Sequence, residues 1–415
     1  MRTIPSCLVV VCLYSFCWPL EILHVILWEK CGENLKWFAS LHHNMKHGLK
    51  KFRILLKTKS MKLKHLLHWT FILPILSALF YFSGLIDNSL LLKVAGGAFL
   101  ISSVLSAVHH AEVVAHKVGE PFGTIVLALS ITILEVAIII SLMIAGGEGA
   151  STYARDTVFA AVMLLLTGIM GICIWIGGMK FREQSFARSS ATTSLVSLVA
   201  ILTITLILPN FTTSQIGPLY TESQLVFVSL ASLVIYGTFI GIQTVRHREY
   251  FVTEEEEEKH VPSSWGKAIL SLVFLLICLG IVVLMAKALS PSIENMVSGM
   301  GAPKSLVGVI IAAVVLMPEA ISAIRAARRD KIQNSLNLVL GSALASIGLT
   351  IPAVSAVCIM FDIPLILGLD AKSIILLGLA VFTVMLSLSR GKTNVLYGTV
   401  LLVIMASYIF TVIVP

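Results

Sequence analysis

Charged side chains are scarce in this chain and they cluster, so that stretch after stretch of at least about 18 residues carries one charge or none. About 20 apolar residues in a helix cross the roughly 30 Å hydrocarbon core of a bilayer. The pattern therefore dictates a polytopic, all-α integral membrane protein. Only 13% of the 415 residues are charged and 57% are hydrophobic, whereas about a quarter of a soluble domain is charged; an ordinary soluble enzyme is excluded. At roughly 35 residues per span and loop there is room for about ten to twelve helices, and any chemistry has to sit among them.

The net charge of +8 suggests a basic protein, but its location says otherwise. Residues 1–65 hold 11 Lys and Arg against Glu21, Glu29 and Glu33, while the rest of the chain balances 19 against 19. The surplus reads as a cytoplasmic flank obeying the positive-inside rule rather than a nucleic-acid surface. Arg2 precedes an apolar core, yet Trp18, Pro19 and Glu21 follow it where a cleavable signal has small residues. Met61 opens Met-Lys-Leu-Lys-His just ahead of a strong span. Residues 1–60 are expected to be a dispensable N-terminal extension, either an overlong start or a signal anchor. Cys173, Cys278 and Cys358 stand alone in apolar runs without metal-ligand spacing and are expected to be inert core residues.

From residue 66 the apolar runs fall at 66–86, 90–108, 122–145, 157–179, 193–209, 223–244, 267–289, 304–324, 334–361, 366–388 and 394–414, about eleven spans. With the basic flank inside, alternation gives the later inside loops 14 Lys and Arg and the outside loops 5, which supports an inside start and an outside C-terminus. The longest polar interruption, 246–266, carries the acidic run Glu254 to Glu258 and reads as a solvated cytoplasmic linker, with a regulatory cation-binding segment as the alternative. It divides the membrane part into a leading helix at 61–89, five helices at 90–245 and five at 267–415. Five is odd, so two such units in series insert in opposite senses. That is the inverted-repeat plan of many secondary transporters, whose ion site lies near the midplane.

Two acids lie deep inside spans, Glu135 and Glu319, each in the second helix of its five-helix unit. A charge at the bilayer centre costs about 2.5–3.5 kcal/mol or more, so two at equivalent positions argue for a paired metal-ion or proton site. Counting along their spans puts both near mid-membrane, and their carboxylates are expected within about 10 Å of each other across a pseudo-two-fold axis. The flanking residues suit a cation: Ser130 and Thr132 precede Glu135, and Thr132 and Ser322 each stand three residues from an acid on its helix face. Pro318 has no amide hydrogen, which leaves the Val314 carbonyl free for a cation or water. In the ninth span Asn337, Gly341 and Ala345 recur at intervals of four, a spacing that means close helix packing, ion ligation or both; Ser342 and Ser346 form a second row. His109, His110 and His116 fall in the inside loop before the third span, as interfacial residues or as sensors of cytoplasmic pH.

These residues resemble a known family. His-His-Ala-Glu-Val-Val-Ala-His-Lys-Val-Gly-Glu-Pro-Phe-Gly at 109–123, running on to Glu135, is similar to the first repeat motif of the ChaA-type calcium, sodium and potassium/proton antiporters of the calcium:cation antiporter superfamily. Met317-Pro318-Glu319 with Asn337 to Ser342 resembles the second, and Gly391 to Leu396 a further shared stretch. The resemblance implies that Glu135 and Glu319 exchange cation for proton. Many superfamily members place Gly-Asn before the acid, where this chain has Ser130 and Thr132, or Met317 and Pro318. The Gly-Ser pair of the second repeat survives as Gly341-Ser342, with no partner around Ala160 and Ala161.

The expectation is a multi-pass antiporter of the cytoplasmic membrane. It would exchange Ca2+ or Na+/K+ for external protons, with no cofactor, no nucleic-acid partner and no enzymatic activity. No HExxH motif, P-loop or nucleophile elbow is present. A cation channel, an intramembrane enzyme and a neutral-solute carrier are the other readings. A channel would carry flux independent of a proton gradient, an enzyme would need a nucleophile or metal set beside the acids, and a neutral-solute carrier would leave the paired acids unexplained.

Overall fold

The computed structural model describes residues 69–87, 89–119, 122–145, 150–246, 264–299, 303 and 305–414. The extension at 1–60 and the acidic run at 254–258 lie outside the described residues. The described chain is helical apart from short connections. In order the helices are α1 (Trp69–Phe82), α2 (Leu90–Val118), α3 (Phe122–Ala145), α4 (Tyr153–Phe181), α5 (Arg188–Phe211), α6 (Glu222–Arg246), α7 (Trp265–Gly299), α8 (Ser305–Val315), α9 (Met317–Ala327), α10 (Ile332–Met360), α11 (Ala371–Leu388) and α12 (Val395–Ile413).

Among the described residues nine helices are long and apolar enough to cross a membrane, and α8 with α9 forms a tenth as a pair bent by 56°. The expected count of eleven is not confirmed: among the described residues α1 runs over 14, short of the roughly 20 of a span. Two spans differ from expectation for local reasons. Pro318 stands at the start of α9, and the backbone turns at Leu316 rather than running on as one helix with a gap in its ladder. Helix α2 continues ten residues past its apolar run, to a cap at Gly119 with φ +76°. His109, His110 and His116 are therefore helical rather than in a loop. Hydrophobicity marks where lipid ends; the cap marks where the helix ends.

His110 is buried against Phe71 and Phe274. Its partner is dictated from α1, where Pro74 has no amide to offer the Thr70 carbonyl. That oxygen instead accepts from Ser106 Oγ and, at 3.2 Å, from His110 Nε2, which must carry the proton. One turn away Ser103 Oγ donates to Ser77 Oγ at 2.9 Å. A proline in α1 and three polar residues of α2 thus fasten the leading helix to the bundle.

The most buried spans are α4 and α10, and the packing around them is reciprocal. Helix α4 packs on α12 and α10 on α6; α8 crosses α4 and α3 crosses α10. Each pair becomes the other when the units α2–α6 and α7–α12 are exchanged. The connections obey the same rule. Strand β1 (Gln184–Ser185), between α4 and α5, pairs antiparallel with β2 (Lys392–Thr393), between α11 and α12. Leu219, between α5 and α6, bridges Ile366, between α10 and α11. The two contacts sit at opposite ends of α5. A repeat axis along the membrane normal would put them at the same end, so the repeats are inverted. Cys173, Cys278 and Cys358 are buried and unbridged.

Candidate functional site

Helix α10 brings the two acids to a common place. Glu135, on α3, is buried, and its Oε2 accepts from Ser346 Oγ and from Thr350 Oγ1, each at 3.1 Å. Glu319, in the first turn of α9, is also buried, and neither of its carboxylate oxygens has a hydrogen-bond partner. An unpaired buried carboxylate is costly, and the break before Glu319 offsets part of that cost. It puts Glu319 in the first turn of α9, where the positive end of the helix dipole favours a carboxylate. A continuous helix through Pro318 would not supply that end.

Glu319 lies in the wall of a cavity of about 270 Å³ formed by α3, α6, α9 and α10. Thr132, Asn337, Gly341, Ser342 and Ser346 share that wall. At roughly 30 Å³ per water the space admits a cation with part of its hydration shell. Ser346 lines this cavity together with Glu319 and donates to Glu135, so the residue that holds the second carboxylate stands in the same wall as the first. Asn337 is held in place by Gln333, whose Nε2 donates to Asn337 Oδ1 at 2.9 Å and to Ser190 Oγ at 2.7 Å. A Cβ added at Gly341 would meet nothing within 4 Å, so this glycine opens the wall instead of packing.

Of the residues singled out in the sequence, Glu319, Thr132, Asn337 and Ser342 meet at the cavity, with Glu135 joined through Ser346. Three others do not. Ser322 is exposed, because the buried stripe of α9 steps by four through Glu319, Ala323 and Ala327 and leaves the three-residue neighbour off it. Ser130 and Val314 stand outside the cavity wall, Val314 on α8 before the bend; Thr132 is in the wall although its Oγ1, like that of Ser130, donates back along its own helix, to the Ala128 carbonyl at 2.9 Å. The functional positions that sequence reasoning misses are the roles of Ser346 and Thr350 as partners of Glu135. Their signal is present as a row of hydroxyls at Ser342, Ser346 and Thr350, one turn apart on α10.

The site is not symmetric. In α4, the counterpart of α10, Ala160 and Ala161 are core residues. Thr167 Oγ1 donates to the Met163 carbonyl at 2.6 Å and to Met405 Sδ at 3.4 Å, not to Glu319. Glu135 therefore has two hydroxyl donors where Glu319 has an open cavity. Among the described residues no group of three or more His, Cys, Asp or Glu could hold a metal; the oxygens on offer are two carboxylates with hydroxyls and an amide.

The sodium/calcium exchanger protein family model matches residues 88–245 and again 270–414, one match to each inverted unit. The protein y4hA of Sinorhizobium fredii, named as an ionic transporter, is 41% identical over 85% of this chain and 97% of its own length. The sodium-potassium/proton antiporter ChaA of Escherichia coli is 33% identical over 75% of this chain and 86% of its own. The solved structure of native YfkE superposes with a TM-score of 0.64 at 18% identity, covering 83% of this chain and all of that one, and so shares the fold. With two family matches that fill both repeats, and relatives that are transporters and not enzymes, this chain belongs to the sodium/calcium exchanger protein family of the calcium:cation antiporter superfamily.

Proposed function

We propose that this chain is a secondary antiporter that exchanges cytoplasmic Ca2+, or Na+ and K+, for external protons across the inner membrane. The observation that carries the reading is Glu319, a buried carboxylate without a hydrogen-bond partner in the wall of a cavity that Asn337, Ser342 and Ser346 also line, with Ser346 donating to the second buried carboxylate, Glu135. Such a pair holds a cation when ionised or protons when neutral, and competition between the two couples the fluxes. Glu319, Thr132, Asn337, Ser342 and Ser346 offer the oxygens that a hard cation takes in place of water. ChaA of Escherichia coli bears the name of a sodium-potassium/proton antiporter and that of Bacillus subtilis the name of a Ca(2+)/H(+) antiporter, which supports the proton as one of the exchanged ions.

The cavity runs toward Gln243 and Asn334, next to Arg246 and Lys331. The Lys and Arg balance supports a cytoplasmic position for these ends, and in this reading the cavity faces inward. In this reading residues 90–245 and 267–415 are the two rocking units and the acidic segment is their cytoplasmic tether.

The test is cation-induced proton release from everted vesicles containing the purified chain, measured in turn with Ca2+, Na+ and K+. Cation uptake that proceeds at the same rate without a proton gradient would replace the antiporter by a channel. Two further outcomes are expected. Ser346→Ala and Thr350→Ala each remove a hydrogen bond to a charged group worth about 1.5–3 kcal/mol, and each slows exchange by about tenfold or more. Ser346→Thr restores it if the hydroxyl is what matters. Deleting residues 1–60 leaves exchange unchanged at equal membrane levels, and a loss there would give the extension a role.

A further inference from the structure

The end of the bundle that carries the β1–β2 pairing is strongly basic: residues 180–192 and 389–394 hold five Lys and Arg against the single acid Glu183. Glu183 is taken by Lys392, at 3.5 Å between two exposed side chains. Among the described residues neither Arg188 nor Arg390 takes part in an ion pair. The fold nevertheless brings these two arginines together. Arg188 opens α5, Arg390 follows the end of α11, and the Phe186 amide donates to the Gly391 carbonyl at 3.0 Å. A Cβ on Gly391 would stand 3.9 Å from that of Arg188. Like charges held this close repel each other, and an anion between them reverses that balance.

Each arginine also stands at the end of a groove that runs into the membrane. The groove between α5 and α11 has a volume of about 610 Å³. Arg188, Thr192, Val196, Val199 and Thr203 line it at steps of three or four, which keeps them on one face of α5. Their side chains beyond Arg188 are small and leave open the space toward Met385 and Leu388 of α11. From Arg188 to Thr203 a helix rises about 22 Å, past the middle of a hydrocarbon core of roughly 30 Å. Val196 is 67% exposed, so this groove faces lipid and not the protein interior. On the other side of α11 lies a second groove, of about 430 Å³, with Arg390 and Tyr397 at its basic end and Leu386, Leu396 and Val400 along it. Leu396 is 64% exposed. Ser389 lines both grooves.

The end of α11 is therefore a ridge with a guanidinium and an apolar groove on each side. A lipid with one phosphate would fill one groove and leave the other cation unpaired. A lipid with two linked phosphates and four acyl chains matches both pairs of features, and guanidinium forks suit phosphate oxygens. We propose that this ridge is a binding site for cardiolipin, with its two phosphates on Arg188 and Arg390 and its chains in the two grooves. Bound there, the lipid joins α5 of the first repeat to α11 and α12 of the second. The site requires only that the chain spans a membrane, so it stands apart from the antiporter reading.

The test titrates the full purified chain in detergent with cardiolipin, phosphatidylglycerol or phosphatidylcholine, counting bound lipid by native mass spectrometry. One cardiolipin per chain is expected to bind about tenfold or more tighter than phosphatidylglycerol, the weight of a second charge-assisted contact, and phosphatidylcholine more weakly still. Arg188→Gln and Arg390→Gln are each expected to weaken cardiolipin binding about five- to tenfold. Arg182→Gln, an exposed arginine at the same end but outside both grooves, is expected to leave it unchanged. Ala200→Trp fills the α5–α11 groove and is expected to weaken binding with both arginines present. Phosphatidylglycerol binding as tightly as cardiolipin at equal phosphate overturns the two-phosphate site. A loss in Arg182→Gln equal to that in Arg188→Gln reduces the site to diffuse surface charge and overturns it too. Displacement of cardiolipin by millimolar inorganic phosphate, or parental binding in Ala200→Trp, overturns the role of the grooves. Where a variant fails to yield folded protein, the ranking of the three lipids on the parent chain decides alone.

Discussion

Glu135→Gln and Glu319→Gln each reduce exchange on the order of 10²-fold or more, the scale on which removing a preorganised charge partner is felt, while the protein still inserts. Glutamine keeps the shape of glutamate but cannot ionise, so a site with one such residue can neither balance the cation nor release it against protons. The structural consequences of the two substitutions differ. In Glu135→Gln the amide oxygen still accepts from Ser346 and Thr350, and stability changes little. In Glu319→Gln the amide enters a place where neither carboxylate oxygen has a protein partner, and it relies on cavity water. Vesicle exchange assays at matched membrane levels decide the matter. Near-normal exchange in either variant removes that residue from the site.

The spans are legible because the bilayer imposes a length and a polarity that sequence displays directly, and Glu135 and Glu319 because a carboxylate in an apolar run has few structural explanations. Local helix geometry serves less well. The three-residue spacing that places Thr132 in the cavity wall fails for Ser322, since the helix restarts at Leu316 and the buried stripe of α9 follows four-residue steps. Pro318 announces a broken ladder but not whether the backbone will bend. The partners of Glu135 come from α10, more than 200 residues away in sequence, and no local rule reaches that far. The row of small residues on α10 suits packing as well as ligation. Gly341 and Ala345 line the open side, while glycines of α4 and α12 stand where those two helices pack backbone to backbone.

Those glycines carry the second large expected effect. A Cβ on Gly398 would lie 2.5 Å from the Trp175 backbone nitrogen and 2.9 Å from the Gly171 carbonyl oxygen, and one on Gly178 would lie 2.7 Å from the Val395 backbone nitrogen. The atoms in the way are backbone on a neighbouring helix, so no rotamer change relieves the clash. Overpacking ordinarily costs about 1–3 kcal/mol, and with two backbones forced apart Gly398→Ala belongs at or above the upper end. The α4–α12 crossing also sets the separation of the inverted units beside Gly168 and Met405. The expected result is therefore a strong loss of folded protein in detergent, read as a lower midpoint of thermal aggregation and lower yield of the monodisperse species. Gly341→Ala is the control: the added methyl meets nothing within 4 Å, so folding should be unaffected while the cavity beside Ser342 narrows and exchange slows. If both variants fold alike, small residues at α4–α12 are not what holds the repeats together. If Gly341→Ala exchanges as fast as the parent chain, the cavity wall at that level is not part of the ion's route.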